Sequence, residues 1–222
     1  MNILNALFGR TEFEAGGCRG IGQVRPPLLA TPQRWTVPTR IDNSAYCTPI
    51  DDQGQTPRCA AFSMAAIIEA WNWRRTHVAV EIDPAPIYIE AKRIDGDSED
   101  GTYLTSVVQA AKNLKLIPST TETSAILTLS DYRFCIHRYG LALLSFNISS
   151  AWNRVNRNGT MPTIDDAIGG HAVVGTGQSM DTTRTCKIRN QWGTDWGYHG
   201  YCFLTDIQFV RQFKGGLAIQ LG

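Results

Sequence analysis

Residues 59–71, CAAFSMAAIIEAW, constrain the fold more than any other part of the chain, because nearly every side chain in this run is apolar. A helix without a polar face has no side to turn to solvent, so it lies at the centre of a domain. Thr56 is a good N-cap, and Pro57 suits the first helical position, where its missing N–H is not needed. We therefore predict a central, buried helix that begins at Thr56 and Pro57 and carries Cys59 in its first turn.

The pattern of apolar residues changes halfway along the chain. Residues 102–115 have helical spacing of apolar side chains before Pro118, and residues 130–139 predict a short helix before Gly140. Short apolar or alternating runs, which are typical of strands, follow at 141–148, 171–177, 185–190, 200–204 and 217–221. Helices segregated from strands in this way predict an α+β fold rather than an alternating α/β fold.

This change, together with the composition of the N-terminus, predicts three units. Residues 1–36 are rich in glycine and contain RPPLLATP at 25–32, which favours extended backbone, and we interpret them as an arm. Residues 37–120 form a helical unit that contains the central helix. The polar run at 119–124 marks a boundary, and residues 121–222 form a β-rich unit.

Charge and cysteine content exclude several classes of function. With 21 basic and 20 acidic residues the formal net charge is +1, which predicts neither a nucleic-acid partner nor a membrane partner. The six cysteines form no CxxC pair and no cluster, so we predict no metal site, no cofactor, and reduced, mostly buried thiols. The first residues lack the basic and apolar regions of a signal peptide, which predicts a cytoplasmic protein, or one exported by a leader-independent route.

Cys59 is the candidate nucleophile. A cysteine attacks as thiolate, and a helix N-terminus lowers the pKa of a thiol because its free N–H groups stabilise the anion. His171 begins a predicted strand after two glycines, which leaves room for its imidazole to face a cleft and exchange a proton with the thiol. Asn190, at the end of another predicted strand, would hold that imidazole in one tautomer, and Trp192 would shield their hydrogen bond from water.

Gln53 completes the candidate site. Acyl transfer places negative charge on the carbonyl oxygen of the substrate, and this oxyanion needs donors that already point at it. A glutamine on the loop before the helix is placed to supply a side-chain N–H beside the backbone N–H of Cys59. Each candidate also has a purely structural interpretation, as a buried thiol, a core histidine or a turn amide, but their occurrence together favours catalysis.

Three segments together resemble the active-site motifs of the papain-like cysteine peptidases. They are Q-G-x-x-x-x-C-x-A-F-S at 53–63, GHAVVG at 170–175 and NQWGTDWGYHGY at 190–201, which is similar to the family signature N-S-W-G-x-x-W-G-x-x-G-Y. The resemblance runs from about Trp35 to Tyr201. It implies a two-lobed fold, with a helical left lobe, a β-rich, barrel-like right lobe and the active-site cleft between them.

The resemblance also implies a function. A polypeptide substrate would bind extended in the cleft of a monomer, and the four candidate residues would hydrolyse a peptide bond through a covalent thioester acyl-enzyme. By position, Gly101 resembles the glycine that pairs with the substrate backbone on the left wall of the cleft. Tyr103 is implied as its neighbour in a substrate pocket.

The chain departs from the family pattern at several positions. Thr56 stands where the family has a cysteine, so the disulfide that pins this loop is missing, and Ala60 replaces the aromatic residue that follows the nucleophile. Gly170 stands where some members carry an acidic residue, which predicts a different pH profile. The interval from Cys59 to His171 is shorter than the roughly 130–150 residues of typical members, which predicts trimmed loops in the right lobe.

The sequence leaves several alternatives open. The same fold and nucleophile also suit a transpeptidase or a glutamine deamidase, and an inactive binding scaffold is a further alternative, although inactive relatives usually lack the nucleophile or the base. Residues 1–36 are too few for an independently folded inhibitory domain. They either pack on the body as an extra strand or lie along the cleft, where RPPLLATP would mimic a substrate and act as an intramolecular inhibitor.

Overall fold

The structure is a computed structural model that describes residues 17–22 and 26–221. Its central element is helix α1 (Cys59–Thr76), whose side chains are buried almost without interruption as far as Ala70. The predicted central helix is therefore present, but the predicted N-cap is wrong by two residues. Arg58 occupies the cap position without a capping side-chain hydrogen bond, because the Thr56 hydroxyl instead donates to the carbonyl of Gln53 and closes the turn before the helix.

Two further helices pack against α1. Helix α2 (Pro84–Asp95) is absent from the sequence-based prediction, although Asp83 caps it by accepting from the N–H of Ala85 and proline occupies its first position. Helix α3 (Leu104–Asn113) confirms the second predicted helix. It ends before Pro118, because Lys115 adopts a positive φ of 59° that no helix can continue through.

The second half of the chain is dominated by one antiparallel sheet. The strand order is β2-β7-β3-β4-β5-β6, and β1 pairs with the far end of β4. The strands are β1 (Arg40–Asp42), β2 (Glu122–Ile126), β3 (Ala142–Ser149), β4 (Ala167–Ser179), β5 (Thr185–Arg189), β6 (Tyr201–Thr205) and β7 (Phe213–Gln220). Helices α4 (Leu129–Arg138) and α5 (Asp206–Gln212) flank the sheet. The five predicted strands and the helix at 130–139 are present, whereas β1, β2 and α5 were not predicted.

The sheet divides the interior into two cores. Along β4, Ala172 and Val174 face the core formed with the helices, whereas Val173 faces the core enclosed by the curved sheet. Side chains of a strand alternate between its faces, so one strand can serve both cores. The helices therefore meet the sheet along β4, which begins beside the first turn of α1, and this seam holds the candidate site.

The described part of the segment 25–32 packs beside β2. The N–H of Leu29 donates to the carbonyl of Ala125, and the N–H of Ala125 donates to the carbonyl of Pro27. Leu29 is buried in the core enclosed by the sheet, while Leu28 is largely exposed. Residues 26–29 therefore pack on the body beside β2 through a single parallel bridge, which is the first of the two interpretations given above for the arm.

All six cysteines are free thiols, and five of them are buried. Cys186 lies opposite Leu204 and Cys202 lies opposite Ile188 on the neighbouring strands β5 and β6. Among the described residues, no helix combines the length and apolar character that a membrane crossing requires.

Candidate active site

Cys59 is the first residue of α1 and is fully buried. Its Sγ accepts a hydrogen bond of 3.3 Å from the backbone N–H of Ala172 on β4. The thiol therefore sits at the positive end of the helix dipole, and a second backbone N–H reaches it from the sheet. Both groups would stabilise a thiolate once the site is open to solvent.

His171 and Asn190 lie opposite this thiol on the sheet side. Nε2 of His171 lies 2.8 Å from Oδ1 of Asn190, and both residues are buried. Because an amide oxygen can only accept, Nε2 carries the proton and Nδ1 is left for exchange with the thiol. The ring of Trp192 lies 4.8 Å from the imidazole, and Trp152 meets it edge-on, so apolar rings exclude water from this hydrogen bond.

Burial keeps both reactive groups neutral in this structure. Burial raises the pKa of the Cys59 thiol well above its ordinary value, and the nearby thiol of Cys18 adds to the effect. Burial also lowers the pKa of His171 to about 4, although the hydrogen bond to Asn190 acts in the opposite direction. The covered site therefore holds a neutral thiol and a neutral imidazole.

Gln53 is held on the other side of the thiol by both its backbone and its side chain. Its N–H donates to the carbonyl of Gln191, and Asp52 pairs with Trp192 in an antiparallel bridge, so the loop before α1 is attached to the segment that follows Asn190. Nε2 of Gln53 donates to the carbonyl of Thr56 at 2.8 Å. One hydrogen of the Gln53 amide remains for a ligand in the cleft.

Residues 17–22, which we call the cleft segment, run directly over this site. The N–H of Thr102 donates to the carbonyl of Gly17, and the N–H of Arg19 donates to the carbonyl of Thr102, which forms a parallel bridge. On the opposite wall the N–H of Cys18 donates to the carbonyl of Gly170 at 3.3 Å. An extended backbone therefore spans the cleft from one wall to the other.

The fit of the cleft segment depends on two glycines. A Cβ on Gly17 would lie 2.6 Å from Sγ of Cys59, so Gly17 rests on the thiol itself. A Cβ on Gly170 would overlap the carbonyl oxygen of Cys18. Gly170, which stands where some papain-like peptidases carry an acidic residue, is therefore the position that lets the segment approach the wall.

Side chains of the cleft segment also fill the surface around the thiol. The Cys18 side chain is buried and its Sγ donates to Oγ of Ser145. The guanidinium of Arg19 lies over the ring of Tyr103 and pairs with Asp97. Further along, the carbonyls of Gly20 and Ile21 accept from the first backbone N–H groups of α3, which otherwise lack partners within the helix.

The structure brings together Cys59, His171, Asn190, Gln53 and Trp192, the residues that the sequence selected for catalysis and support. Tyr103 contacts Arg19 of the cleft segment, and its place in a substrate pocket stays a prediction. Gly101 has a positive φ of 77°, but its neighbour Thr102 makes the described backbone bonds to the cleft segment.

Sequence reasoning missed four residues of the site: Gln191, Ser145, Trp152 and Thr102. Gln191 was open to detection, because it is the position at which NQWG differs from N-S-W-G. Ser145 and Trp152 carry no motif, and only the fold brings them to the site. In the described parts of the chain, no group of three or more His, Cys, Asp or Glu side chains is placed to hold a metal ion.

Comparison with known proteins agrees with this architecture. No family model matches the chain. Among curated proteins it is similar to vignain from Phaseolus vulgaris, with 24% identity over 209 residues that cover 75% of this chain and 54% of vignain. The chain thus spans about half the length of this relative.

Solved structures give a closer match in shape. Xylellain, a cysteine protease from Xylella fastidiosa, has a TM-score of 0.74 at 18% identity over 96% of this chain and 98% of that one. Procathepsin B from Trypanosoma congolense has a TM-score of 0.71 at 18% identity, with coverage of 92% and 86%. The ragweed allergen Amb a 11, a cysteine protease in its proform, has a TM-score of 0.69 at 13% identity, with coverage of 90% and 71%. The predicted fold class, α+β and papain-like, is confirmed.

Proposed function

We propose that this chain of papain-like fold is a cysteine peptidase, and that its cleft segment holds it in a latent state. The observation that carries the proposal is an extended polypeptide backbone bound across a cleft, directly over a thiol at a helix N-terminus. A histidine–asparagine pair and a glutamine amide lie around the same thiol. The vignain and xylellain comparisons support this chemistry, since both are similar to the chain over most of its length.

The reaction begins once the cleft segment leaves. Cys59 transfers its proton to His171, and the thiolate forms a bond to the carbonyl carbon of the substrate while the carbonyl π-electrons move to oxygen. Nε2 of Gln53 and the N–H of Cys59 stabilise this oxyanion. The C–N bond then breaks as His171 gives its proton to the leaving amine. His171 next takes a proton from water, the resulting hydroxide attacks the thioester, and the thiol is restored when the acid product leaves.

The cleft segment itself is bound in a non-productive way. A Cβ on Gly17 would lie 2.6 Å from Sγ of Cys59, and the Gly17 carbonyl accepts from the N–H of Thr102. Nε2 of Gln53 meanwhile donates to Thr56. The Gly17 carbonyl is thus paired with Thr102, and we infer that it is not presented to the oxyanion donors, so that attack on it is not stabilised. This arrangement explains how a peptidase can carry a peptide in its cleft without cutting it.

Labelling of Cys59 with an epoxysuccinyl peptide tests both parts of the proposal, with the modified residue located by peptide mass spectrometry. We expect slow labelling of the full chain, fast labelling when Gly17→Leu displaces the cleft segment, and loss of fast labelling when His171→Ala is added. Cys47→Ser is the matched control and should change nothing, because Cys47 lies outside the site. Absence of Cys59 labelling in the Gly17→Leu chain, with a folded protein, would contradict the proposal.

Product masses then define the reaction. Incubation of the Gly17→Leu chain with a peptide substrate should give two fragments with free carboxyl and amino ends, and no activity should remain in Cys59→Ser. Fragments joined to an added amine would instead identify a transpeptidase. A mass change at glutamine without chain cleavage would identify a deamidase.

A further inference from the structure

Gln191 is a buried amide at the centre of the site, and it has no role in the reaction steps proposed above. It is 1% exposed and lies between Asn190 and Trp192, at the position where the family signature has serine. Its Nε2 donates to Oε1 of Gln53 at 3.0 Å and to the carbonyl of Ala172 at 2.8 Å. Both hydrogens of this NH₂ group are therefore used, one on each side of the cleft.

The two backbone carbonyls at the ends of this chain of hydrogen bonds fix the orientation of both amides. The carbonyl of Ala172 can only accept, so it requires the NH₂ group of Gln191 to face it. The second hydrogen of that NH₂ group then requires the oxygen of Gln53 to face Gln191. The carbonyl of Thr56 likewise requires the NH₂ group of Gln53 on its own side. No other assignment of oxygen and nitrogen satisfies all the contacts.

The same contacts connect the oxyanion donor to the rest of the site. Ala172, whose carbonyl accepts from Gln191, is also the residue whose N–H donates to Sγ of Cys59. Oε1 of Gln191 faces the hydroxyl of Ser63 on α1 at 3.5 Å. Gln191 thus contacts the loop of Gln53, the helix of the nucleophile and the strand of His171. A serine at this position is too short to reach all three.

We propose that Gln191 is a positioning residue that holds the Gln53 amide with its NH₂ group toward the oxyanion. The inference rests on the proposed peptidase function and deepens it. Without Gln191, Oε1 of Gln53 loses its donor and only the Thr56 carbonyl still holds this amide, so its NH₂ group is aimed less well at the developing negative charge. The loss should therefore appear in the chemical step, because the oxyanion forms only there.

Gln191→Glu is the sharpest variant. A carboxylate has no hydrogen to give to the Ala172 carbonyl or to Oε1 of Gln53, and it would draw the NH₂ group of Gln53 toward itself. Loss of one oxyanion donor lowers kcat by about 10²–10³-fold in related chemistry, so we expect a loss of about that size. Gln191→Ser serves as a second variant without a buried charge, in case the carboxylate disturbs folding.

The experiment uses the full chain with Gly17→Leu as background, so that the cleft is open. For each Gln191 variant we measure kcat and KM on a peptide substrate, and the rate at which iodoacetamide alkylates Cys59, a reaction that forms no oxyanion. We expect kcat to fall while KM and the alkylation rate stay within about twofold. A cycle with Gln53→Ala completes the test: the Gln191 variants should cost no further activity once Gln53 is absent.

Three outcomes would overturn the inference. They are an unchanged kcat, an alkylation rate that falls as much as kcat, and losses that multiply in the double variant, since each means that Gln191 does not act through Gln53. Failure of the proposed function looks different: the background chain itself would alkylate at Cys59 and yet turn over no peptide.

Discussion

Residues 17–22 and 26–29 of the N-terminal arm are held in different places and by different sets of contacts. Residues 26–29 are held by an apolar side chain, Leu29, buried in the core enclosed by the sheet, and by two backbone hydrogen bonds to β2. The cleft segment, residues 17–22, lies over the thiol and is held by backbone hydrogen bonds to both walls, by the close approach that glycine permits, and by the buried side chains of Cys18 and Ile21. We therefore interpret residues 26–29 as an anchor and the cleft segment as the part that must leave.

This difference explains how one arm can be both stable and removable. Burial of a leucine contributes roughly 2 kcal/mol whatever occupies the cleft. Hydrogen bonds to an open cleft contribute less, because water or a substrate backbone can replace them. The cleft segment can thus dissociate while the anchor keeps it near the site.

Gly17→Leu should raise the rate of Cys59 labelling more than any other substitution proposed here, because it disrupts the cleft segment at its closest contact with the thiol. The added side chain would overlap Sγ of Cys59 and approach the backbone of Pro57. Overpacking of this kind costs about 1–3 kcal/mol, so we expect Cys59 to label about 10–100 times faster. Leu28→Ala is the matched control on the anchor, since Leu28 is 67% exposed. An unchanged labelling rate in Gly17→Leu would mean that the cleft segment does not limit access.

Leu29→Ala should lower the stability of the fold rather than open the cleft. Truncation of a buried leucine costs about 2–5 kcal/mol, measured as the free energy of unfolding in urea. We expect Cys59 labelling to rise less than in Gly17→Leu, because the cleft segment keeps its own contacts. If Leu29→Ala exposed the thiol more than Gly17→Leu did, the anchor and not the cleft segment would control access.

The pH dependence of the unfolding free energy should report how completely the cleft segment excludes water from His171. The pKa of His171 in the covered site is about 4, below its ordinary 6.5. The unfolded chain therefore binds more protons between these values, and stability is lost as the pH falls through this window. Relative to His171→Gln, the full chain should lose about 2 kcal/mol of unfolding free energy between pH 7 and pH 5. The difference should shrink in Gly17→Leu; if it does not, residues other than the cleft segment bury His171.

The same contrast explains what the sequence could predict. Cys59, His171, Asn190 and Gln53 lie in motifs whose chemistry limits the residue type. The apolar run after Cys59 is compatible only with a buried, central helix. The strands β3 to β6 follow apolar patterns of 2-residue period or continuous runs. Sequence reasoning could therefore predict the fold class and the residues that the structure groups around the thiol, while their catalytic roles stay predictions.

What sequence reasoning missed depends on proximity in space. For the arm, the sequence left open whether RPPLLATP packs on the body or lies along the cleft, and its described part packs because Leu29 is buried in the core. The glycine-rich piece before it enters the cleft because Gly17 and Gly170 remove two Cβ atoms from facing surfaces. Neither glycine signals this on its own. Short strands such as β1 and β2 likewise exist only because β4 and β7 offer them edges.

Arg19→Ala should raise the rate of Cys59 labelling least, and it tests whether charge contributes to holding the cleft segment. Its guanidinium pairs with Asp97 and Glu99 and lies 4.4 Å from the centre of the Tyr103 ring. Hydrogen bonds from Lys92 and then Arg19 hold the pKa of Asp97 at about 2, so this tether stays charged at any ordinary pH. Exposed ion pairs are weak, and we expect Arg19→Ala to raise Cys59 labelling by no more than about fivefold.

Salt dependence separates the charge of Arg19 from its packing. Because ions screen exposed charges, the difference between the full chain and Arg19→Ala should shrink as salt is raised from 0.05 to about 1 M. Arg93→Ala is the matched control, since Arg93 pairs with Glu90 on α2 and has no described contact with the arm. An increase of fiftyfold in Arg19→Ala would show that charge, and not the backbone fit around Gly17, holds the cleft segment in place.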